Sequence, residues 1–233
     1  MNLRPSSLWL SVAALFSLLI ALGCGSSSSA NKTAQLRLMD ASPTQQSINL
    51  LVDNATIQTG IVSQSASGYT SQRAGNHTLV IEAFGTSTPL VTQNVSLTAN
   101  ANYTVLAVPP SFGSSQLSMS LLTDDNSTPA TGNFKLRIIN ASPDFGNLDA
   151  YITAPGAGIS GARPSVPNLA FQAASSYQTL PAGNYEVYFS VAGQQVISVD
   201  SGQFTFSSGQ VRTLVLLDNF GSGFTSAFLA DAN

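Results

Sequence analysis

Charge is scarce in this sequence: of 233 residues, 8% are Asp, Glu, Lys or Arg and 43% are hydrophobic. Its surface must therefore be covered largely by Ser, Thr, Asn and Gln, a balance common in strand-rich extracytoplasmic proteins and rare in cytosolic enzymes. No basic run occurs, which excludes nucleic acid as a partner, since that needs clustered Lys and Arg to displace counterions. Cys24 is the single cysteine, so no intramolecular disulfide can form. His77 is the single histidine, which leaves a nucleophile short of its usual base and zinc short of ligands. The one tryptophan, Trp9, falls within the first two dozen residues. Beyond that segment no stretch sustains a 3.6-residue apolar period over three turns, so helices are not expected.

What is present begins with a targeting segment. Arg4 precedes an apolar run from Leu8 to Leu22. This run is too short for a membrane span of about 20 residues and suits a signal h-region. It ends in Ala21-Leu22-Gly23-Cys24 and so resembles a bacterial lipoprotein signal peptide, with Ala21 where Leu is usual and Leu22 beside it. The resemblance implies that residues 1–23 are removed and that Cys24 becomes the acylated first residue. Gly25 to Thr33 reads as a flexible tether. Gly25 follows the Cys, where an inner-membrane retention signal would place Asp, so the resemblance implies a lipid-anchored envelope protein at the outer membrane. Loss of Arg4 leaves seven basic against eleven acidic residues.

The rest of the chain is written twice. Leu36-Arg37-Leu38-Met39-Asp40-Ala41-Ser42-Pro43 returns as Leu136-Arg137-Ile138-Ile139-Asn140-Ala141-Ser142-Pro143. The offset then grows from 100 to 108 residues, as Tyr69 and Ala74-Gly75-Asn76 match Tyr177 and Ala182-Gly183-Asn184. The eight extra residues fall in the Pro/Gly-rich stretch Ala154 to Pro167. The copies also close alike, Leu117 to Asn126 matching Phe224 to Asn233. Units 34–126 and 134–233, joined by a polar linker at 127–133, are expected.

Within each unit the pattern alternates. Ile48, Leu50 and Val52 share one face, as do Leu148, Ala150 and Ile152, and Tyr185, Val187, Phe189 and Val191. Val211 to Leu217 is almost wholly apolar and reads as a central strand covered on both faces. Seven or eight short strands per unit point to an all-β protein of two tandem antiparallel β-sandwich domains of immunoglobulin-like size, with a small barrel as the other solution. The run R-[LI]-x-x-A-S-P, an alternating strand, a Tyr and then A-G-N resembles the DUF4397 domain, a bacterial extracytoplasmic module of unknown function often found in tandem.

Candidate sites can be checked copy against copy. His77 is replaced by Tyr185 and reads as a half-buried ring at the rim of the core. Asp144 and Asp149, a carboxylate pair of the kind a glycosidase needs, are replaced by Thr44 and Asn49. Asp124-Asp125-Asn126 clusters oxygens but lacks EF-hand spacing, and the second copy reads Asp231-Ala232-Asn233. No catalytic residue, metal or cofactor is therefore expected. Arg37 and Arg137 persist, placed mid-strand on the face opposite Leu36/Leu38 and Leu136/Ile138. They are expected to lie over the sheet and pair with Asp53 or Asp149, or to contact an anionic ligand. Ser42-Pro43 and Ser142-Pro143 set the turn after the first strand. The expected role is structural or adhesive, toward an envelope protein or polysaccharide. Carbohydrate or small-ligand binding is the alternative, for which Tyr151, Tyr188, Phe220 and Phe224 are the aromatics to inspect.

Overall fold

Each half of the chain is built around a strand that cannot lie at a surface. The computed structural model describes Met1, residues 32–219 and residues 221–232. Cys24, the signal segment, most of the tether and Phe220 lie outside the described residues. In the N-terminal half, β1 (Thr33–Asp40) sits inside a sheet of order β4-β1-β8-β9, with β5 also on β1. Its partners are β4 (Ser65–Ala66), β5 (Thr70–Arg73), β8 (Asn102–Val108) and β9 (Ser118–Asp124). A second sheet has order β3-β2-β6-β7, from β2 (Ser47–Val52), β3 (Ala55–Val62), β6 (Gly75–Ala83) and β7 (Pro89–Leu97).

The C-terminal half repeats both sheets. One has order β13-β10-β16-β17, from β10 (Asn133–Asn140), β13 (Gln178–Pro181), β16 (Val211–Asp218) and β17 (Phe224–Ala232). The other has order β12-β11-β14-β15, from β11 (Leu148–Thr153), β12 (Val166–Leu169), β14 (Gly183–Val191) and β15 (Val199–Phe206). Among the described residues the secondary structure is all strand, with no helix, and each sheet is open rather than closed on itself.

The first sheet of each half is mixed, where an antiparallel one was expected, while the second sheet of each half is antiparallel throughout. Strand β1 runs parallel to β8, with Leu36 opposite Tyr103, and β10 runs parallel to β16, with Leu136 opposite Arg212. Parallel neighbours need a long crossover. Here the chain supplies it by building the whole second sheet between β1 and β8, and again between β10 and β16.

Parity sorts these central strands between two cores. Leu36 and Leu38 of β1 and Tyr103, Val105 and Ala107 of β8 face Ile48, Leu50, Leu79 and Ile81 of the second sheet. The C-terminal half repeats this with Leu136, Ile138, Leu214 and Leu216 against Leu148, Ala150, Val187 and Phe189. Residues of opposite parity form a third core. Met39, Ala41, Leu106 and Val108 pack there with Ile139, Ala141, Val215 and Leu217. The first sheets of the two halves therefore pack against each other, and all seventeen strands belong to one compact unit. Strand β16 is covered on both faces, as its apolar run predicts.

The halves differ most where the sequence places the extra residues. Strand β2 turns into β3 through Asp53 and Asn54, both at positive φ (49° and 67°), as a tight two-residue hairpin requires. At the same place the C-terminal half runs a long loop from Thr153 to Val166.

Candidate functional site

The densest group of chemistry-bearing side chains lies in the interface between the halves. Arg37 leaves β1 on the face shared with Met39, and Arg137 leaves β10 on the face shared with Ile139. Both are 2% exposed. Arg37 Nε donates to Thr104 Oγ1 at 2.8 Å, Nη1 donates to the Ala230 carbonyl at 3.0 Å, and Nη2 donates to Asp231. Arg137 repeats each bond, from Nε to Thr213 Oγ1 at 2.8 Å, from Nη1 to the Thr123 carbonyl at 3.0 Å, and from Nη2 to Asp124. Each arginine thus grips the outermost strand of the other half, β17 or β9.

The carboxylates are equally saturated. Asp124 Oδ2 accepts from Thr104 Oγ1 at 2.7 Å and from Tyr69 Oη at 2.6 Å. Asp231 Oδ2 accepts from Thr213 Oγ1 at 2.6 Å and from Tyr177 Oη at 2.8 Å. Each tyrosine ring also lies beneath its own half's guanidinium, 4.8 Å from ring centroid to Cζ in both cases. Burial pushes both phenols well above their ordinary range, so they remain neutral donors. A charged cluster that loses water needs hydrogen bonds in compensation, and here each guanidinium donates three and both oxygens of each carboxylate accept at least one.

The arginines therefore differ from their expected placement. They lie buried in an interface, paired with Asp231 and Asp124 rather than with Asp53 or Asp149, because the other half covers the sheet face that parity assigns them. Tyr151 and Tyr188 also depart from an exposed ligand platform, at 2% and 5% exposed. Ile159 and Ala162 of the long loop pack over both rings. That loop is held down by Gln195 Nε2 donating to the Ala162 carbonyl at 3.0 Å and by the Gly156 N–H donating to Glu186 at 2.6 Å. Phe224 packs edge-on against Phe145, with centroids 4.8 Å apart. Among the described residues the exposed aromatics are instead Phe84 and Phe112, 59% and 41% exposed.

The remaining candidates fall into local roles. His77 Nδ1 lies 2.7 Å from Asp53 Oδ2, and Nε2 lies 2.8 Å from the Arg73 carbonyl. Tyr185 holds the matching position and donates to the matching carbonyl, that of Pro181, at 2.9 Å. Both rings therefore tie a strand to the residue four places earlier. The Thr78 N–H and the imidazole hold the Asp53 carboxyl below its usual range. Asp149 is buried and accepts from the N–H groups of Asn168 and Gly193, while Asp144 is exposed. Asp125 pairs with Lys135 at 2.7 Å, and that lysine with Ser127 brings its carboxyl down to about 2. With Asp124 already on Arg137, the acids of that triplet face cations of the protein itself. Among the described residues no group of three or more His, Cys, Asp and Glu side chains is placed to hold a metal.

A shallow depression of about 500 Å³ on the outer face of β6 and β7 is lined by Asp53, Asn76, His77, Thr78, Asn94 and Ser96. In the C-terminal half the long loop packs on Tyr151 and Tyr188 and reaches Glu186, the counterpart of Thr78, while Asn184, Gln203 and Thr205 are exposed.

The repeated sequence held a signal for the interface. Asp124/Asp231, Tyr69/Tyr177 and Thr104/Thr213 recur together with Arg37/Arg137, so the paired acids could have been read beside the paired bases.

These features define an all-β protein of several open sheets, whose largest charged cluster is an internal joint. The chain belongs to the DUF4397 family, described as a domain of unknown function, which matches residues 34–151. That match runs from β1 through the N-terminal half to β11. No curated protein matches the chain in sequence. Among solved structures, the chain is similar to a family CBM26 module of Eubacterium rectale Amy13K in complex with maltoheptaose. Identity there is 12%, over 86% of this chain and 98% of that one, with a TM-score of 0.28. It is also similar to family 41 carbohydrate-binding modules from streptococcal virulence factors, at 12% identity over 78% and 93%, with a TM-score of 0.26. A putative adhesin from Bacteroides ovatus matches at 10% identity over 85% and 93%, with a TM-score of 0.21. Similarity this low carries no argument about ligand or activity.

Proposed function

We propose that this protein is a lipid-anchored, non-enzymatic component of the bacterial envelope, outer membrane included. In this reading it presents two fused immunoglobulin-like sandwiches, a tandem DUF4397 pair, to an envelope protein or polysaccharide. The observation that carries the reading is the reciprocal arginine clamp. It spends the most concentrated polar chemistry of the molecule on fixing one half against the other, which suits a rigid spacer. The anchor rests on Cys24 and the sequence before it. Palmitate labelling of the protein, lost in Cys24→Ser, together with recovery in the membrane fraction, is the expected result. Unlabelled protein in the soluble fraction overturns the anchor.

The alternative, a carbohydrate- or small-ligand-binding module, is favoured by the depression over β6 and β7, where Asn, Asp, Thr and Ser side chains converge on open space. Binding on a glycan array that is lost in Asn94→Ala supports it. An array without hits removes it and leaves the display role.

A further inference from the structure

Apart from Met1, every large apolar side chain that is exposed among the described residues lies at one end of the molecule. They are Val62, Phe84, Phe112, Val191, Val196 and Ile197. Strand direction brings them together. Strands β1 and β8 run parallel and finish side by side, at Asp40 and Val108. The chain turns there into β2, so β3 and β6, both antiparallel to β2, also finish at that end. Val62 closes β3, Phe84 begins the β6–β7 turn, and Phe112 lies in the β8–β9 loop. In the C-terminal half Val191 closes β14, and Val196 and Ile197 lie in the β14–β15 loop. Thr33, where β1 begins, is at the opposite end.

The two halves present this end at one level. Met39 and Ala41 pack with Ile139 and Ala141. Ser120 Oγ donates to Gln172 Oε1 at 2.9 Å, and Gln64 Nε2 donates to the Asp218 carbonyl at 2.7 Å. These contacts join the finishing ends of the two first sheets, so β1 and β10 run the same way. The second sheets are the outer layers of the stack. Sheets about 10 Å apart therefore separate the β6–β7 turn from the β14–β15 loop by about 30 Å.

The apolar side chains are held outward by ordered backbone. The Phe84 N–H donates to the Ser47 carbonyl at 3.0 Å, and the Phe84 ring lies against Gly60, which has no side chain to cover it. Thr44 Oγ1 and Gln45 Nε2 donate to the Ser114 and Ser115 carbonyls at 3.1 and 3.0 Å, fixing the loop that carries Phe112. The Ala192 and Ser198 N–H groups donate to the Asn147 and Phe189 carbonyls at 3.0 and 2.9 Å, at either side of Val196 and Ile197. In the loops that close this end, Asp144 is the one exposed charged side chain. The long loop adds Arg163 nearby, since the carbonyl of its neighbour Ala162 takes Gln195 Nε2. Scattered singly, exposed apolar residues need no partner, but gathered at one end they mark an interaction surface.

We propose that this end docks on a lipid bilayer of neutral headgroups, with apolar side chains from both halves entering the headgroup boundary. A protein partner must match apolar points about 30 Å apart one by one. A bilayer is apolar beneath every point of its plane, and two halves at one level reach it together. Exposed Gln46, Thr86, Ser87 and Gln194 offer hydrogen bonds to headgroups. One acid and one base leave no basic cluster for anionic lipid to attract. The proposal does not rest on the Cys24 anchor.

Amide exchange of the Cys24→Ser chain, with and without phosphatidylcholine vesicles, tests this by position. Vesicles are expected to slow exchange in residues 84–88, 109–117 and 192–198. Residues 98–101 and 207–210, at the Thr33 end, are expected to keep their rates. In Phe84→Ser/Ile197→Ser the vesicle concentration needed for this slowing is expected to rise at least about tenfold, for two partly buried apolar side chains lost. Unchanged exchange in the strands shows that the variant is folded. Adding phosphatidylglycerol to the vesicles is expected to leave the concentration unchanged. No slowing at this end, or slowing confined to the Thr33 end, overturns the proposal. So does slowing that needs no vesicles and grows with protein concentration, because the occupant is then a second copy of the chain.

Discussion

Arg37 and Asp231 lie 194 residues apart in sequence and share a buried hydrogen bond across the interface between the halves. Arg137 and Asp124 make the same bond in the opposite direction, only 13 residues apart. The two bonds are one contact written twice, as in an isologous interface where each partner presents the same patch. A two-copy chain has thus enclosed within itself the geometry of a symmetric dimer.

Removing one carboxylate leaves a buried guanidinium without its counter-charge. Asp231→Ala is expected to destabilise the protein by about 3–5 kcal/mol, in the range for breaking a buried pair. Because the network repeats, Asp124→Ala is expected to cost nearly the same. Urea unfolding measures both, and a loss well below about 1 kcal/mol for either contradicts the clamp.

The tyrosines complete the carboxylates' hydrogen bonding. Tyr69→Phe and Tyr177→Phe keep the ring under the arginine and remove only the hydroxyl that donates to Asp124 or Asp231. Each is expected to cost about 1–3 kcal/mol, the cost of leaving a buried acceptor with one bond fewer. A neutral result for either shows that its carboxylate does not depend on the phenol.

Asp40→Asn places in the N-terminal half the residue that the C-terminal half already has. A carboxyl raised from 3.8 to about 7 binds more protons in the folded than in the unfolded state between those values. Stability of the unaltered chain is therefore expected to fall as pH rises through that window and to level off above it. The variant loses this dependence, so it is expected to be the more stable at about pH 8, by up to about 4 kcal/mol at 1.36 kcal/mol per unit. Thermal melts from about pH 4 to about pH 8 measure this, and parallel curves contradict it.

His77 is expected to tolerate replacement by the residue of its twin. His77→Tyr keeps a ring that can reach the Arg73 carbonyl, as Tyr185 reaches that of Pro181. A stability change within about 0.5 kcal/mol is expected, as for a substitution at a rim position. A larger loss shows that the Asp53 contact is a main support of the β2–β3 turn.

Local patterns were legible in the sequence, and contacts between the copies were not. Alternation in Ile48 to Val52 and Leu148 to Ile152 marks strands β2 and β11, and the almost wholly apolar run from Val211 to Leu217 marks a strand covered twice. The Pro/Gly-rich stretch after Thr153 marks the long loop. Parity also places Arg37 opposite Leu36 and Leu38, but it is silent about what covers that face. A charged residue on a sheet face reads as solvated until a second sheet is known to lie there. Parallel pairing of β1 with β8 was hidden for a similar reason. Strand patterns carry no direction, and only the intervening sheet makes the crossover long enough.

Calorimetry of the full chain beside the Arg37→Ala/Arg137→Ala double variant tests the central claim most directly, that the reciprocal clamp joins the halves into one cooperative body. The account predicts a single transition for the unaltered chain, with calorimetric and van't Hoff enthalpies equal. For the double variant it predicts a lowered and divided transition, as the halves melt apart. Two independent transitions in the unaltered chain, or a double variant that melts once at an unchanged temperature, would contradict it.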